Sequence, residues 1–191
     1  MAEFPLPVAP LVGDGPISAM FWARGSRTFA DAARLVWHLP YGRNIARTDP
    51  SLVLTEGKGT CSSKHALLRL LACEQGLPID LILGFYEMDE DNTPGVGAVL
   101  APNGLRSIPE AHCLLYYDGR DIDLTMPPGT ATAARKTFLY REVISAQQVA
   151  LYKVERHRSF LQGWIDRLPT PRLTLDEAWA IREACIRALA G

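Results

Sequence analysis

Apolar residues recur at helical intervals immediately after Thr28, and this pattern predicts an amphipathic helix in the first third of the chain. Asp31 stands three residues beyond Thr28, which is the spacing of a capping box, in which two side chains bind each other's backbone N–H groups. Pro40 is expected to end this helix. Residues 1–16 are rich in proline and glycine and are expected to be extended or loosely ordered.

A second helix is predicted from Cys61 to Glu74, because alanines and leucines there form a broad apolar face. Gly76 and Pro78 are typical of the stop that follows a helix. The next apolar run, residues 79–86, is short and bounded by residues that break regular structure, which predicts a buried strand. A polar loop with proline and glycine, residues 87–97, follows it.

A β-hairpin is predicted after this loop. Asp118-Gly119 is a preferred sequence for a two-residue turn, and it separates an apolar strand, residues 111–117, from a return strand, residues 120–125. The residues that flank the turn then pair with each other. Each step back along the first strand is matched by one step forward along the second.

This register brings ionisable residues onto one face of the hairpin. His112 is expected opposite Thr125 and Asp123 opposite Leu114, so His112 and Asp123 become diagonal neighbours about 7–8 Å apart. A three-residue turn would move Asp123 to the other face. Asp121 also lies on this face, and it is a second candidate for any role that needs a carboxylate.

Two more helices are predicted in the C-terminal part of the chain. Capping boxes are indicated by Ser145 with Gln148 and by Thr174 with Glu177. The apolar faces consist of Phe160, Trp164 and Leu168 in the first helix and of Trp179, Ile186 and Leu189 in the second. The mixed basic run at residues 153–158 is expected to be a solvent-facing strip of the first helix.

The order of elements predicts a single α+β domain over residues 1–191, since helices precede and follow a mainly antiparallel β region. Within it we place a core at residues 28–130 and a helical C-terminal extension at residues 141–191. A chain of 191 residues is long enough to bury a sizeable hydrophobic core.

Composition and charge argue against two classes of partner. The net charge of −1 gives no electrostatic reason to expect nucleic acid or an anionic membrane. No apolar run is long enough to span a bilayer, and the first residues lack the basic and apolar regions of a signal peptide. The expectation is a cytoplasmic protein of ordinary globular composition.

The four cysteines form no C-x-x-C pair and are expected to be reduced thiols. Cys73 and Cys185 lie in apolar helical patterns and are expected to be buried and inert, and Cys113 is expected to pack on the inner face of the sheet. Cys61 differs, because it falls where a glycine-containing loop runs into a helix. The positive end of a helix dipole lowers the pKa of a thiol and favours the nucleophilic thiolate.

The order of these features resembles the transglutaminase-like core of the papain-type cysteine enzymes. That family has a Gly-x-Cys that opens a helix, a Gly-[Ile/Leu]-Pro after the helix, a strand that ends in glycine, a later strand with histidine, and then an aspartate. The corresponding segments, which span about a third of the chain, are Gly59-Thr60-Cys61, Gly76-Leu77-Pro78, Leu83-Gly84, Ala111-His112 and Asp123-Leu124-Thr125. The resemblance implies a nucleophile helix packed on an antiparallel sheet, with extra C-terminal helices.

The resemblance also implies the chemistry. Cys61 would attack an amide or ester carbonyl, His112 would act as base and then as acid, and Asp123 would orient the imidazole. Tyr41 and Asn44 are candidates for a second oxyanion donor beside the Cys61 N–H, although turn chemistry alone accounts for both. The expected function is a cysteine-dependent amide-bond hydrolase (a protease or amidase) or acyltransferase that works through a thioester on a peptide, protein or small amide.

Two positions depart from the family pattern. Leu114 stands where an aromatic residue is common, and Leu124 stands where proline is common. Neither change removes a catalytic group. The missing aromatic residue and the lack of a recognisable specificity motif allow a second interpretation, in which the fold is kept as a non-catalytic binding or scaffold module.

No metal and no cofactor is expected. The acidic loop after residue 86 fails as an EF-hand, because Pro94 occupies the position that needs glycine and Leu100 the position that needs glutamate. His65 follows Cys61 by one helical turn, but a zinc site of Cys61, His65, His112 and Cys113 is disfavoured, because His112 and Cys113 are adjacent in a predicted strand and point to opposite faces.

Overall fold

The computed structural model of the protein describes residues 4–130, 136–168 and 173–189. Helices and a small sheet combine in these residues, so the predicted α+β class is confirmed. The helices are α1 (Pro16–Trp22), α2 (Phe29–His38), α3 (Leu52–Glu56), α4 (Cys61–Glu74), α5 (Gly97–Leu100), α6 (Leu151–Ile165) and α7 (Leu175–Ala188). Short 3₁₀ turns occupy Ala101–Asn103 and Ala146–Val149.

Four strands form one antiparallel sheet in the order β3-β2-β1-β4. The strands are β1 (Asp80–Met88), β2 (Ile108–Tyr117), β3 (Arg120–Ile122) and β4 (Tyr140–Ile144). The two central strands, β1 and β2, are buried along most of their length, whichever face a residue points to. This two-sided burial explains why β1 shows a continuous apolar run in the sequence rather than an alternating pattern.

The hairpin of β2 and β3 has the predicted register. Tyr117 pairs with Arg120 across the turn, and the next two pairs follow in step. Asp118 and Gly119 have φ angles of 49° and 74°, the left-handed conformation that a type I′ turn needs at both positions. The two-residue turn is therefore confirmed.

The return strand is shorter than predicted. β3 ends at Ile122, whereas the pattern extended it to Thr125. The backbone beyond Ile122 finds its partners on α4 instead of on β2, since the Leu124 N–H donates to the His65 ring (2.8 Å) and the Thr125 carbonyl accepts from Lys64 (2.7 Å). Side chains from a distant helix thus end the strand.

Three of the predicted helix starts are confirmed, two of them with the capping boxes that the sequence predicts; the Thr60–Ser63 box of α4 was not predicted. Thr28 caps α2 with Asp31, and Thr174 caps α7 with Glu177. α4 runs from Cys61 to Glu74, as the pattern predicts. These starts are encoded locally, because both halves of each cap lie within four residues.

The C-terminal region is less uniform than predicted. β4 falls at the start of the extension that was expected to be helical over residues 141–191. Most residues of β4 are exposed, as is common for an edge strand, so its apolar pattern is weak. The capping box of Ser145 and Gln148 is present, but it opens the 3₁₀ turn at Ala146–Val149 rather than α6 itself. α1 was not among the helices predicted from the sequence.

One compact unit of the chain comprises residues 4–83, 113–130 and 142–150. α4 is its central helix and contacts α1, α2, α3 and the second 3₁₀ turn. Leu67, Leu68 and Leu71 of α4 have no exposed surface. Cys73 is exposed, so the prediction that it is buried is wrong. It lies in the last turn of α4, one turn beyond Arg69, on a side that the unit covers only in part.

The other unit comprises residues 84–112 and 136–141 and, among its described C-terminal residues, 151–168 and 173–189. Here α7 contacts both α5 and α6. The core consists of side chains from β1, β2 and the three helices, including Met88, Leu100, Ile108, Leu161, Ala178 and Cys185. Cys185 is buried as predicted, and burial raises the pKa of its thiol to about 11.

The basic run at residues 153–158 is not a solvent-facing strip, because Lys153 and His157 are buried. A carboxylate explains this departure: Glu110 is buried in β2 within the same unit, 4.0 Å from the His157 Nε2. Arg182 donates two hydrogen bonds of 2.5 Å to Glu110, one to each carboxylate oxygen. The sequence alone contained no sign that an acidic residue in an apolar strand would lie beside these basic side chains.

Candidate active site

Cys61 is the first residue of α4, a helix of 14 residues. The Thr60 hydroxyl accepts the Ser63 N–H at 3.4 Å, and the Ser63 hydroxyl accepts the Thr60 N–H at 2.9 Å. This reciprocal cap fixes the start of the helix and thereby holds the thiol at the positive end of the helix dipole. Cys61 is 9% exposed, so a small part of it reaches the surface.

His65 lies one turn beyond Cys61 and is fully buried. Its Nδ1 lies 2.8 Å from the Cys61 carbonyl, and its Nε2 lies 2.8 Å from the Leu124 backbone nitrogen. Because a backbone N–H can only donate, Nε2 is the acceptor and the ring carries its proton on Nδ1. Both ring nitrogens are engaged with backbone, so His65 joins α4 to the segment that follows β3 rather than serving as a base.

Lys64 is the second buried polar residue of this turn. Its Nζ donates to the carbonyls of Leu39 (2.6 Å) and Thr125 (2.7 Å). Burial lowers the pKa of Lys64 to about 8, and the negative charge of Asp123 acts in the opposite direction. Lys64 therefore ties both the end of α2 and the segment after β3 to the first turn of α4.

Asp123 lies one residue beyond the end of β3. Its Oδ1 accepts the Thr125 N–H at 3.0 Å, as in an Asx turn, and lies 4.0 Å from the His65 Nε2. The carboxylate is 36% exposed, so it is open to solvent on one side. Cys61 and Asp123 are thus linked through a single imidazole, which contacts the backbone of the first and lies beside the carboxylate of the second.

Asp121 and Asp123, the two carboxylates that were candidates from the sequence, are in different positions. Ile122 is the last paired residue of β3, so the predicted pair between Asp123 and Leu114 lies outside the ladder. Asp121 is paired with Tyr116 inside the ladder. Of the two, Asp123 is the carboxylate in the segment that α4 holds.

His112 lies inside β2 and is 6% exposed; it belongs to the second unit. Its ring stacks on Phe138, with centroids 6.5 Å apart and planes inclined by 20°, and meets Tyr86 edge-on at 6.2 Å. Gly84 makes room for this arrangement, since a Cβ at that position would overlap the Phe138 ring. An aromatic residue that is distant in sequence therefore forms one wall around the imidazole.

The two candidates for a second oxyanion donor have different surroundings. Tyr41 forms an isolated parallel bridge with Gly59, in the loop that leads into α4. The Asn44 side-chain amide donates to the Glu56 carboxylate (3.1 Å) and to the Lys58 carbonyl (3.0 Å). Both amide hydrogens of Asn44 therefore serve the loop, which favours turn chemistry for this residue. Tyr41 keeps its place as a candidate, because its backbone lies beside the approach to Cys61.

The described residues were also compared with the requirements of a metal site, a membrane span and a ligand cavity. Within residues 4–130, 136–168 and 173–189 there is no group of three or more side chains that could hold a metal ion. None of the helices in that part of the chain is long and apolar enough to cross a membrane. A cavity of about 240 Å³ on α6 is lined by Arg156, Ser159, Phe160, Gly163 and Arg167, none of which is a predicted site residue.

Sequence reasoning missed the roles of Lys64 and His65. A signal was present, because the spacing of Cys61 and His65 puts both on one helix face and because Lys64 interrupts an apolar helix. Their partners could not be inferred, since the segment that His65 binds lies 59 residues away.

No protein-family model matches the chain, and no curated protein or solved structure matches it either.

Proposed function

We propose that this protein is a cysteine-dependent amide-bond hydrolase or acyl transferase with a transglutaminase-like core. The observation that carries the proposal is the link from Cys61 through His65 to the segment that bears Asp123. Burying a lysine and a histidine costs free energy unless their polar atoms find partners. Here the Lys64 and His65 side chains both bind the segment that follows β3. These contacts support a fold in which Asp123 is held near α4, the helix that begins at Cys61.

In the proposed mechanism, the Cys61 sulfur attacks the carbonyl carbon of an amide while His112 accepts the thiol proton. Asp123 orients the imidazole and stabilises its cation. The Cys61 N–H, at the helix start, and a donor near Tyr41 bind the oxyanion. His112 then gives its proton to the leaving amine, and a thioester remains on Cys61. Water completes a hydrolysis, whereas an amine completes a transfer.

The thiol is tested first by alkylation. Iodoacetamide rates are measured across pH for each cysteine by peptide mass spectrometry, with Cys73, which is exposed on the same helix, as the internal reference. We expect Cys61 to reach half its maximal rate at a pH below about 8.5, the ordinary value for a free thiol. The pH of half-maximal rate is the measure, because the rate itself also depends on exposure. A value for Cys61 at or above that of Cys73 would contradict an activated nucleophile.

Activity is tested with a thiol-reactive activity probe and a library of amide substrates. Cys61→Ala should abolish labelling and turnover, and His112→Ala and Asp123→Asn should each lower kcat by about 10²–10⁴. Cys73→Ala and Asp121→Asn are matched controls that should retain both. If Cys61→Ala leaves labelling and turnover unchanged, or if the wild type has neither, the non-catalytic scaffold interpretation replaces this proposal.

A further inference from the structure

We propose that Cys61 and Cys113 form a reversible disulfide within one chain when the protein meets hydrogen peroxide or an organic hydroperoxide. Both residues belong to the first unit, and the Ser62 hydroxyl connects them. Its oxygen is 3.9 Å from the Cys61 sulfur and 3.7 Å from the Cys113 sulfur. The distance between the two sulfur atoms is therefore no greater than the sum of these two distances.

The two cysteines differ in exposure and therefore have different roles in the reaction with peroxide. Cys61 is 9% exposed, whereas Cys113 has no exposed surface. A small peroxide can reach the first thiol, and the second needs no contact with solvent because both sulfurs contact the same Ser62 hydroxyl. The position of Cys61 at a helix N-terminus also favours the thiolate, which is the form that attacks a peroxide.

The chemistry proceeds in two steps. The Cys61 thiolate attacks one peroxide oxygen, the O–O bond breaks, and the products are a sulfenic acid and hydroxide (from hydrogen peroxide) or an alkoxide (from a hydroperoxide). The Cys113 sulfur then attacks the Cys61 sulfur; the S–S bond forms, the S–O bond breaks, and the thiol proton leaves with the departing hydroxide as water. Two thiols are oxidised, and one peroxide is reduced.

The bond requires a local movement. A disulfide needs its sulfurs about 2.05 Å apart, so the two sulfurs that contact the Ser62 hydroxyl must approach each other. Cys113 is held within β2, whereas Cys61 is the first residue of α4 and can shift when the Thr60–Ser63 cap opens. The other two cysteines are poor partners by position: Cys73 is at the far end of α4, and Cys185 is in the core of the other unit.

The oxidised chain has no thiol at Cys61, so this modification would block any reaction of that sulfur until a reductant restores it. The inference does not depend on amide chemistry, because it needs a thiol that reacts with peroxide and a second sulfur beside it. It can therefore fail while the proposed function holds, and it can hold if the protein is a scaffold.

The experiment uses the full chain with the substitution Cys73→Ser, because this change removes the exposed thiol as a source of cross-links between chains. The variant is treated with hydrogen peroxide. Non-reducing peptide mapping should then show a Cys61–Cys113 disulfide, the count of free thiols should fall by two, and dithiothreitol should restore both. In a further Cys113→Ser variant, dimedone should label Cys61 as a sulfenic acid, and the signal should last at least ten times longer than without that change.

The proposal is overturned if Cys61 passes to sulfinic acid with no Cys61–Cys113 peptide, or if it pairs only with a cysteine of another molecule. Circular dichroism checks that the Cys113→Ser variant is folded. If it is not, diamide replaces the variant, because it oxidises neighbouring dithiols directly. The same cross-linked peptide supports the proposal, and its absence under both oxidants overturns it.

Discussion

Two adjacent side chains, Lys64 and His65, account for much of the local order around Cys61. Each is fully buried, and each binds one backbone group in the segment that follows β3. Their hydrogen bonds to the Asp123 segment go to its neighbours Leu124 and Thr125. They are positioning residues, and their substitution should change stability as well as chemistry.

His65→Ala should lower the free energy of unfolding by about 2–4 kcal/mol, because it removes two hydrogen bonds and leaves a cavity. His38→Ala is the matched control: its ring also contacts the carbonyl four residues back, at 2.7 Å, but on an exposed surface. We expect that change to cost less than about 0.5 kcal/mol. Urea denaturation monitored by circular dichroism gives both values. Equal losses would show that His65 does not hold the segment.

Lys64 should make stability depend on alkaline pH. Its pKa is about 8 in the folded chain and ordinarily 10.5. Between these values the unfolded chain holds a proton that the folded chain has lost, so stability rises with pH, by up to about 1.4 kcal/mol per unit. The neutral amine still donates to both carbonyls.

The comparison is between wild type and Lys64→Met from pH 7 to pH 10, with Lys58→Met as baseline. The advantage of wild type over Lys64→Met should grow above pH 8. A constant difference would show that burial does not perturb this lysine.

At the scale of elements, helix starts and turns are determined by short segments of sequence, whereas the ends of strands are not. The cap of α4 lies within residues 60–63, and the β2–β3 turn within residues 118–119. Both were predictable because the interacting groups are neighbours in the sequence. The end of β3 depends on α4, and β4 depends on pairing with β1, so neither could be read from its own residues.

Two glycine substitutions should have opposite signs. Gly119→Ala places a side chain at a φ of 74° and should destabilise the chain by about 1 kcal/mol. Gly163→Ala lies inside α6, where the new Cβ makes only an ordinary contact, 3.6 Å from Arg167, and should stabilise by about 0.5–1 kcal/mol. Thermal unfolding measures both. A stabilising Gly119→Ala would contradict the type I′ turn and the register built on it.

At the scale of the whole molecule, each unit buries charge in its own way. The second unit encloses Glu110 with Arg182 and His157. Burial and the Arg182 charge act on the Glu110 pKa in opposite directions, and the net result is a lowered pKa. Burial lowers the pKa of His157 to about 4, while its Nε2–H donates to the Pro109 carbonyl at 2.9 Å.

This cluster should limit acid stability. Between about pH 6.5 and pH 4 the unfolded chain binds a proton at His157 that the folded chain does not, so stability falls as pH falls, by up to about 1.4 kcal/mol per unit. His157→Gln keeps an N–H donor without the titration and should flatten this slope. Urea unfolding across that range, with His38→Gln as control, is the measurement. Identical slopes for wild type and His157→Gln would contradict the assignment.

The sequence by itself determined the α+β class, the bounds of α4, the capping boxes and the hairpin register, because each depends on periodicity or on groups a few residues apart. It also singled out Cys61 at a helix start. Only the tertiary structure decided that β3 stops at Ile122, that Cys73 is exposed, and that Lys64 and His65 hold the Asp123 segment. These outcomes depend on which buried polar groups meet across long sequence separations, and burial leaves each such group only the partners that the fold brings to it.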